Sequence, residues 1–221
     1  MRIIFVRHGE PDYKNDCLTP KGHIQAEVVA KRLANEEIEE IYSSPLGRAR
    51  MTMQKFADQH PSLPVRILDF MHEINWGSIS GKELELEGHP WNCVNEMVSK
   101  GLNICDSAWK QGPYFHDNIA TLEVENIAKE IDSWLRSLGY SREGLYYRNT
   151  RKDNSQHTVV LFSHGGSSCA AMSHMLNIPF PFTCASIHLP FTAISILRLD
   201  TNPGSLCTPV IELMSDSKHL S

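Results

Sequence analysis

Two short segments of the 221-residue sequence place histidine and glycine directly after a run of apolar residues. The segment RHG (residues 7–9) follows IIFV, and the segment SHGG (residues 163–166) follows VVLF. Ligands of layered α/β proteins gather at the carboxyl ends of strands, and glycine amides that open a helix favour anions. We therefore expect His8 and His164 to lie at two strand ends and to share one phosphate group.

The segment SSPLGRARMT (residues 43–52) adds positive charge where a helix is expected to begin. Arg48 and Arg50 fall in the first turns of this helix, where the helix dipole disfavours a cation unless an anion holds it. Arg7 and Arg48 could clamp phosphate oxygens in the bidentate manner that lysine cannot reproduce. Arg50 is expected at the surface.

A carboxyl group follows the third predicted strand, in HEINWGSISG (residues 72–81). Glu73 has aromatic and apolar neighbours, a setting that can raise its pKa enough for general-acid work. Strand-like alternation would point His72 the opposite way, so we assign His72 a structural role.

The elements that must position these residues alternate along the chain. Strand-like runs rich in β-branched residues occur at 2–6, 40–43, 65–68, 158–163, 185–189, 193–199 and 210–213. Helical patterns start at Thr19-Pro20 and Pro45, run from about 118 to a stop at Gly139, and follow SHGG. This alternation predicts an α/β layered fold whose central strands are buried on both faces.

Two segments interrupt the alternation, and we expect both to belong to a single domain over residues 1–221. Residues 77–117 show no clean strand and predict a helical or irregular cap insertion over one edge of the sheet. From Lys82 to Glu125 there are three lysines against eight acids, so this segment is acidic. Residues 139–157 are polar and basic and predict an exposed loop or hairpin.

Composition excludes several classes of protein. The formal net charge is −5 and no long basic block occurs, so we expect no nucleic-acid partner. No run of 18 apolar residues and no signal segment is present, so we expect no membrane partner and a cytoplasmic location. The six cysteines show no CxxC and no zinc spacing, which predicts free thiols and no bound metal.

The four motifs, in their order and approximate spacing, resemble those of the histidine phosphatase superfamily, also called the phosphoglycerate-mutase-like family. The resemblance spans about residues 2–198, and LTPKGHIQA (residues 18–26) is similar to the helix that follows the RHG loop. It implies a three-layer α/β/α sandwich with a mostly parallel mixed sheet. It also implies a nucleophilic His8, a proton donor at Glu73, and a phosphate pocket made of Arg7, Arg48, His164, Gly165 and, as a candidate after a one-residue shift, Asn15.

The implied activity is that of a metal-independent phosphomonoesterase that needs no cofactor and acts on a small phosphorylated substrate. His8 would form a phosphohistidine intermediate while Arg7, Arg48 and His164 hold the equatorial phosphate oxygens. Glu73 would protonate the leaving alcohol and then take a proton from the hydrolytic water.

Other functions stay open from the residues alone. A phosphoglycerate-mutase-type reaction needs extra cations over the pocket; the cap is acidic, but Arg142, Arg148, Arg151 and Lys152 of the basic loop could supply them. A non-catalytic phosphate-binding module would use the same pocket. A serine hydrolase is disfavoured because no GxSxG motif occurs.

The sequence also gives expectations for the residues around the pocket mouth and for assembly. His116 and His188 could line the pocket mouth. We expect the tryptophans around the insertion, Trp76, Trp91 and Trp109, to serve mainly in packing. An uncovered sheet edge could pair with a second copy and form a homodimer.

Overall fold

A six-stranded sheet forms the centre of the computed structural model, which describes residues 1–220. The strands are β1 (Arg2–Arg7), β2 (Pro11–Asp12), β3 (Cys17–Leu18), β4 (Glu40–Ser43), β5 (Val65–Ile67), β6 (Tyr140–Glu143), β7 (Tyr146–Asn149), β8 (Thr158–Ser163), β9 (Ile194–Arg198), β10 (Leu206–Cys207) and β11 (Val210–Asp216). The α-helices are α1 (Pro20–Leu33), α2 (Gly47–Ala57), α3 (Pro90–Ser99), α4 (Ile119–Ser137), α5 (Gly165–Leu176) and α6 (Phe180–Ser186).

The central sheet is mostly parallel, as predicted. Its strand order is β11-β9-β1-β8-β4-β5. β8 pairs in parallel with both β1 and β4, and β4 pairs in parallel with β5. β9 runs antiparallel to both of its neighbours. Because four parallel strands adjoin one another, their carboxyl ends meet at one edge of the sheet.

Helices cover both faces of the sheet and bury the apolar runs between them. Ile3 and Phe5 of β1 pack in one core cluster with α4 and α5, whereas Ile4 and Val6 pack in a second cluster with α1 and α2. Successive strand residues point to opposite faces, so a run of consecutive apolar residues fits a sheet covered on both sides. The predicted three-layer α/β/α fold is confirmed.

Local signals fix several helix ends. The Thr19 hydroxyl accepts a hydrogen bond from the Gly22 N–H, and Pro20 occupies the first turn of α1. The Asn118 side chain accepts from the Ala120 N–H at the start of α4. Gly139, with a φ of +88°, follows the end of that helix, as predicted.

One predicted strand is wrong, and one helix start is shifted. Residues 185–189 do not form a strand, because α6 extends to Ser186 and the next residues form a connection to β9. Pro179 is the residue before the first turn of α6 and Pro181 lies in that turn, positions that suit proline, and this is a stronger local signal than the short apolar alternation. The helix predicted from Pro45 begins at Gly47.

The segment 77–117, which we call the cap, contains α3 and short 3₁₀ turns. Its ends lie side by side, since the Ile79 N–H donates to the Asp117 carbonyl and the Ile119 N–H donates to the Gly77 carbonyl, both at 2.8 Å. Residues of α3 join the core cluster on the α4–α5 face, so the cap packs against the sheet layer.

A second, smaller sheet lies at the end of the central sheet opposite the carboxyl ends of its parallel strands. β6 and β7 form a hairpin that β10 extends to three strands.

All six cysteines are free, as predicted. None of the helices within residues 1–220 is both long and apolar enough to cross a membrane.

Candidate active site

His8 and His164 lie side by side because the strands that precede them are parallel neighbours. Arg7 at the end of β1 is in register with Ser163 at the end of β8. The next residue on each strand is therefore a histidine, and the two ring centroids are 5.0 Å apart. Both side chains are fully buried.

His8 is held with one ring nitrogen free. Its Nδ1 lies 2.7 Å from the Gly9 carbonyl oxygen, which can only accept, so Nδ1 carries the proton. Nε2 is then the nitrogen with a lone pair, and it has no hydrogen-bond partner within residues 1–220. Burial lowers the pKa of His8 to about 3, and the Arg7 and Arg48 charges act in the same direction. The imidazole is therefore neutral at neutral pH, the form in which histidine is a nucleophile.

His164 caps the first turn of α5 and is held from the opposite side. Its Nε2 lies 2.7 Å from the Ser44 hydroxyl, and its buried Nδ1 has no partner among the described residues. Burial, with His8 and the two arginines, holds the pKa of His164 well below its ordinary value. The amide groups that follow, beginning at Gly165, open the helix and can receive an anion.

Two guanidinium groups complete the cluster of donors. Arg7 donates from Nη1 to the Leu189 carbonyl and lies over the Phe191 ring, with 4.4 Å between Cζ and the ring centroid. Arg48 is 7% exposed, and its Nη1 lies 2.6 Å from Oδ1 of Asp16. The Nε atoms of both arginines are buried and have no partner in the described part of the chain.

Glu73 reaches this cluster from the connection after β5. Its Oε1 accepts hydrogen bonds from the Ile74 N–H at 3.0 Å and the Ser167 N–H at 3.1 Å. Burial raises the pKa of Glu73, although these amides and the charges of Arg7 and Arg48 oppose the rise. A carboxyl group with a raised pKa can donate a proton near neutral pH.

Two glycines allow the RHG loop to lie against α1. A Cβ on Gly9 would lie 2.6 Å from the Gly22 carbonyl oxygen, and a Cβ on Gly22 would lie 2.1 Å from the Glu10 carbonyl oxygen. The Gly9 N–H also donates to the Thr52 hydroxyl of α2 at 3.0 Å. The loop that carries His8 is thus fixed by two helices.

A cleft of about 340 Å³ opens from this cluster. Its inner end is lined by Arg7, Glu73, Gly165 and Gly166. Cys169 of α5 also lines the cleft, and its outer walls are lined by Tyr13, Trp76, His89, Trp91, Ile187, His188 and Leu189. The cleft therefore joins a charged inner end to an outer part that is mostly aromatic and apolar.

The structure brings together Arg7, His8, Arg48, Glu73, His164 and Gly165 of the predicted site, and places other candidates elsewhere. Asn15 is exposed and donates its side-chain amide to Asp12 rather than facing His8 or Arg48. Its neighbour Asp16 contacts Arg48 instead. His188 lines the cleft, whereas His116 is exposed and lines a separate depression. Trp76 and Trp91 line the cleft, but Trp109 is buried in the core.

Several residues of the site carry little signal in the sequence. Ser44 lies within the SSPLGRARMT motif, and its position directly after β4 is the signal that identifies it. His89 stands before Pro90 at the start of α3, a helix inside the irregular segment. Tyr13 and Phe191 lie in loops whose paths no periodicity predicts.

Comparison with known proteins relates the sequence that forms this site to a protein family. A sequence model of the histidine phosphatase superfamily (branch 1) matches residues 3–96, the part of the chain that carries His8, Arg48 and Glu73. A predicted phosphoserine phosphatase of Hydrogenobacter thermophilus is 23% identical over 214 residues, which cover 93% of each chain. A 2,3-bisphosphoglycerate-dependent phosphoglycerate mutase of Thermoplasma acidophilum is 31% identical over 126 residues, covering 45% of this chain and 63% of that protein.

A solved structure extends the likeness to the whole fold. The phosphoserine phosphatase of Entamoeba histolytica, in complex with 3-phosphoglyceric acid, matches with a TM-score of 0.64 at 24% identity, covering 100% of this chain and 99% of that chain. Residues 3–96 match the sequence model of the histidine phosphatase superfamily, as the motifs predicted, and the fold of the whole chain is similar to that of this solved phosphatase. The phosphatases among its relatives give its class, that of the phosphoric monoester hydrolases.

Proposed function

We propose that this protein is a metal-independent phosphomonoesterase that transfers the phosphoryl group of a small substrate to Nε2 of His8 and then to water. One observation supports this most directly: four buried nitrogens of the cluster have no partner within residues 1–220. They are Arg7 Nε, His8 Nε2, Arg48 Nε and His164 Nδ1. Unpaired buried polar groups each cost about 1–3 kcal/mol, so a protein retains such a cluster when a polar ligand satisfies it.

In the first half-reaction, the Nε2 lone pair of His8 attacks the phosphorus atom, the N–P bond forms, and the P–O bond to the leaving alcohol breaks. Arg7, Arg48, His164 and the Gly165 amide are the proposed contacts of the three non-bridging oxygens. The protonated Glu73 gives its proton to the leaving oxygen, so an alcohol rather than an alkoxide departs.

In the second half-reaction, the ionised Glu73 takes a proton from a water molecule that attacks the phosphorus atom of phosphohistidine. The N–P bond breaks, inorganic phosphate leaves, and His8 returns to its neutral form with Nδ1 bonded to the Gly9 carbonyl. The acid and base roles of one carboxyl group thus alternate between the two steps. A carboxyl pKa that burial raises suits both roles.

The charges around the cleft favour hydrolysis over a mutase reaction. A mutase must hold a second phosphate while the first reorients, but Arg7 is the only lysine or arginine among the residues that line the cleft in the described chain. Three of the four basic residues of the loop 139–157 have other partners: Arg142 contacts Asn177, Arg148 pairs with Glu143, and Arg151 pairs with Asp153. Lys152, the fourth, does not line the cleft. A cytoplasmic location and a homodimer stay predictions.

The test is hydrolysis of p-nitrophenyl phosphate in EDTA, from acidic to neutral pH, by the wild type, His8→Ala and the exposed control His116→Ala. We expect turnover by the wild type and the control but not by His8→Ala. When a reaction with radiolabelled substrate is quenched, we also expect the wild type to carry acid-labile label. Circular dichroism and the melting temperature check that His8→Ala is folded. Turnover by folded His8→Ala would overturn the mechanism, and an inert wild type that still binds phosphate would leave a binding module or a strict mutase.

A further inference from the structure

The outer part of the cleft carries an aromatic wall, which we define as Tyr13, Trp76, His89 and Trp91. The rings of Trp76 and His89 meet edge to face with centroids 4.6 Å apart, and the centroids of His89 and Trp91 are 6.0 Å apart. Trp76 is 41% exposed and Tyr13 is 65% exposed. Large exposed aromatic side chains gathered around one cleft mark a binding surface for an apolar or ring-shaped group.

One buried polar atom of this wall has no partner in another residue. It is Nδ1 of His89, which makes no hydrogen bond to another residue within residues 1–220. Burial lowers the pKa of His89, so its ring is uncharged at neutral pH. A neutral imidazole between two tryptophans suits a single hydrogen bond to an uncharged polar atom of a ligand.

The outer part of the cleft also lacks a lysine or arginine that could receive a carboxylate. Lys100 pairs with Glu96 and contacts the Tyr114 hydroxyl, and Lys110 pairs with Glu125. Lys82 lines a separate depression. Arg7, the guanidinium that lines the cleft, lies at the inner end with Glu73. Arg48 lies against the Tyr13 ring, with Cζ 5.4 Å from the ring centroid, but its Nη1 is paired with Asp16. A carboxylate placed against Trp76, His89 and Trp91 would lose its hydration without gaining a lysine or arginine partner on that side, which is unfavourable.

We propose that the aromatic wall binds the leaving alcohol, and that the substrates are phosphomonoesters of uncharged, ring-bearing alcohols rather than of carboxylate-bearing ones. This inference rests on the proposed phosphatase function of the inner cleft. The ring lies between Tyr13 and the two tryptophans, and His89 bonds to one uncharged polar atom on it. The phosphate lies against Arg7 and the α5 amides.

The test compares substrates that are all esters of aliphatic alcohols, so that leaving-group chemistry differs little. Benzyl phosphate carries an uncharged ring, glycerol 3-phosphate is uncharged outside its phosphate but has no ring, and phosphoserine and 3-phosphoglycerate carry a carboxylate. We expect kcat/KM to be highest for benzyl phosphate. Trp76→Leu should lower the ratio of kcat/KM for benzyl phosphate to that for glycerol 3-phosphate about three- to tenfold, mainly through KM.

Tyr146→Leu is the matched control, because Tyr146 is 46% exposed on the hairpin and does not line the cleft. Calorimetry with benzylphosphonate and 3-phosphonopropionate gives a readout that needs no turnover. Tighter binding of benzylphosphonate, weakened by Trp76→Leu, supports the inference even where hydrolysis fails. Equal or better use of the carboxylate substrates, or a substrate ratio unchanged in Trp76→Leu, overturns it while leaving the phosphatase intact. A carboxylate preference that disappears in His188→Gln would also overturn it.

Discussion

Asp16 and Arg48 form an ion pair in which Oδ1 of Asp16 lies 2.6 Å from Nη1 of Arg48. The other carboxylate oxygen accepts a hydrogen bond from the Gly47 N–H, the first amide of α2, also at 2.6 Å. A carboxylate of the protein therefore occupies two donors at the edge of the proposed phosphate pocket. Because the Asp16 side chain is 41% exposed, it can turn into solvent when a phosphate approaches.

Asp16→Asn should strengthen the binding of inorganic phosphate. The amide can still accept from Gly47, but it no longer repels an anion or neutralises Arg48. We expect the dissociation constant to fall about three- to tenfold, since a partly exposed charge of this kind is worth about 1 kcal/mol. Calorimetric titration measures the effect, with Glu27→Gln as a control that removes a distant acid paired with Lys55. Weaker binding in Asp16→Asn would mean that the carboxylate positions Arg48 for phosphate.

Two adjacent glycines should respond differently to alanine. A Cβ on Gly166 would lie 2.4 Å from Oε1 of Glu73 and 2.6 Å from the Ile74 side chain, whereas a Cβ on Gly165 meets the Arg7 guanidinium at an ordinary 3.7 Å. Gly166→Ala should therefore displace the Glu73 carboxyl and lower kcat at least about tenfold more than Gly165→Ala does. Steady-state kinetics on both variants, with circular dichroism to check folding, provide the measurement. Equal losses would show that the carboxyl position is not critical.

Glu73→Gln should reveal the role of the carboxyl through the leaving group. An alkyl phosphate needs a proton on its leaving oxygen, so kcat for glycerol 3-phosphate should fall about 10²- to 10³-fold. p-Nitrophenolate leaves without a proton, so the loss in the phosphorylation step should be much smaller with p-nitrophenyl phosphate. Burst kinetics separate that step from hydrolysis of the intermediate. Losses of equal size in the first step for both substrates would contradict a proton-donor role.

Stability should fall in mild acid because His8 is buried in its neutral form. Its pKa is about 3 in the folded protein, against an ordinary value of 6.5. Between these values the unfolded chain binds a proton that the folded chain does not, so the free energy of unfolding decreases as the pH falls below about 6.5. His164 acts in the same direction, and Glu73, whose folded pKa is raised, acts in the opposite one.

His8→Asn removes one group that binds a proton in the unfolded chain but not in the folded chain over this pH range. Its free energy of unfolding should depend on pH less steeply than that of the wild type, by about 1.4 kcal/mol per pH unit between pH 6 and pH 4. Urea unfolding at several pH values in phosphate-free buffer tests this, with the exposed His116→Asn as the control. Parallel curves for the wild type and His8→Asn would show that His8 is not held neutral by burial.

The sequence predicts which residues lie together at the inner end of the candidate site because a few regular elements determine their positions. His8 and His164 follow buried runs that must be adjacent parallel strands, so their neighbourhood follows from the layer architecture. Glu73 and Arg48 follow the next two strands in the sheet, and the same edge collects them. The positions of these four residues depend on regular strands and helices, which the pattern of apolar and polar residues predicts.

The outer half depends on irregular backbone that periodicity does not describe. The phosphate-side candidate in the RHG loop was placed at Asn15, but Asp16, with a φ of +47°, turns its own carboxylate toward Arg48. His89 follows a turn in which Leu86 and Glu87 both have positive φ values. The strand predicted at 185–189 fails for a related reason, since prolines and tertiary contacts override a short apolar pattern.

The paired ends of the cap have a consequence for how this protein can diverge. Because the Ile119 N–H is hydrogen-bonded to the Gly77 carbonyl across the base of the cap, residues of the cap outside its core contacts can change without moving β5 or α4. His89 and Trp91 belong to the cap, whereas His8 and His164 directly follow strands of the central sheet. Selection can therefore change the proposed alcohol site while the residues of the proposed phosphoryl transfer stay the same.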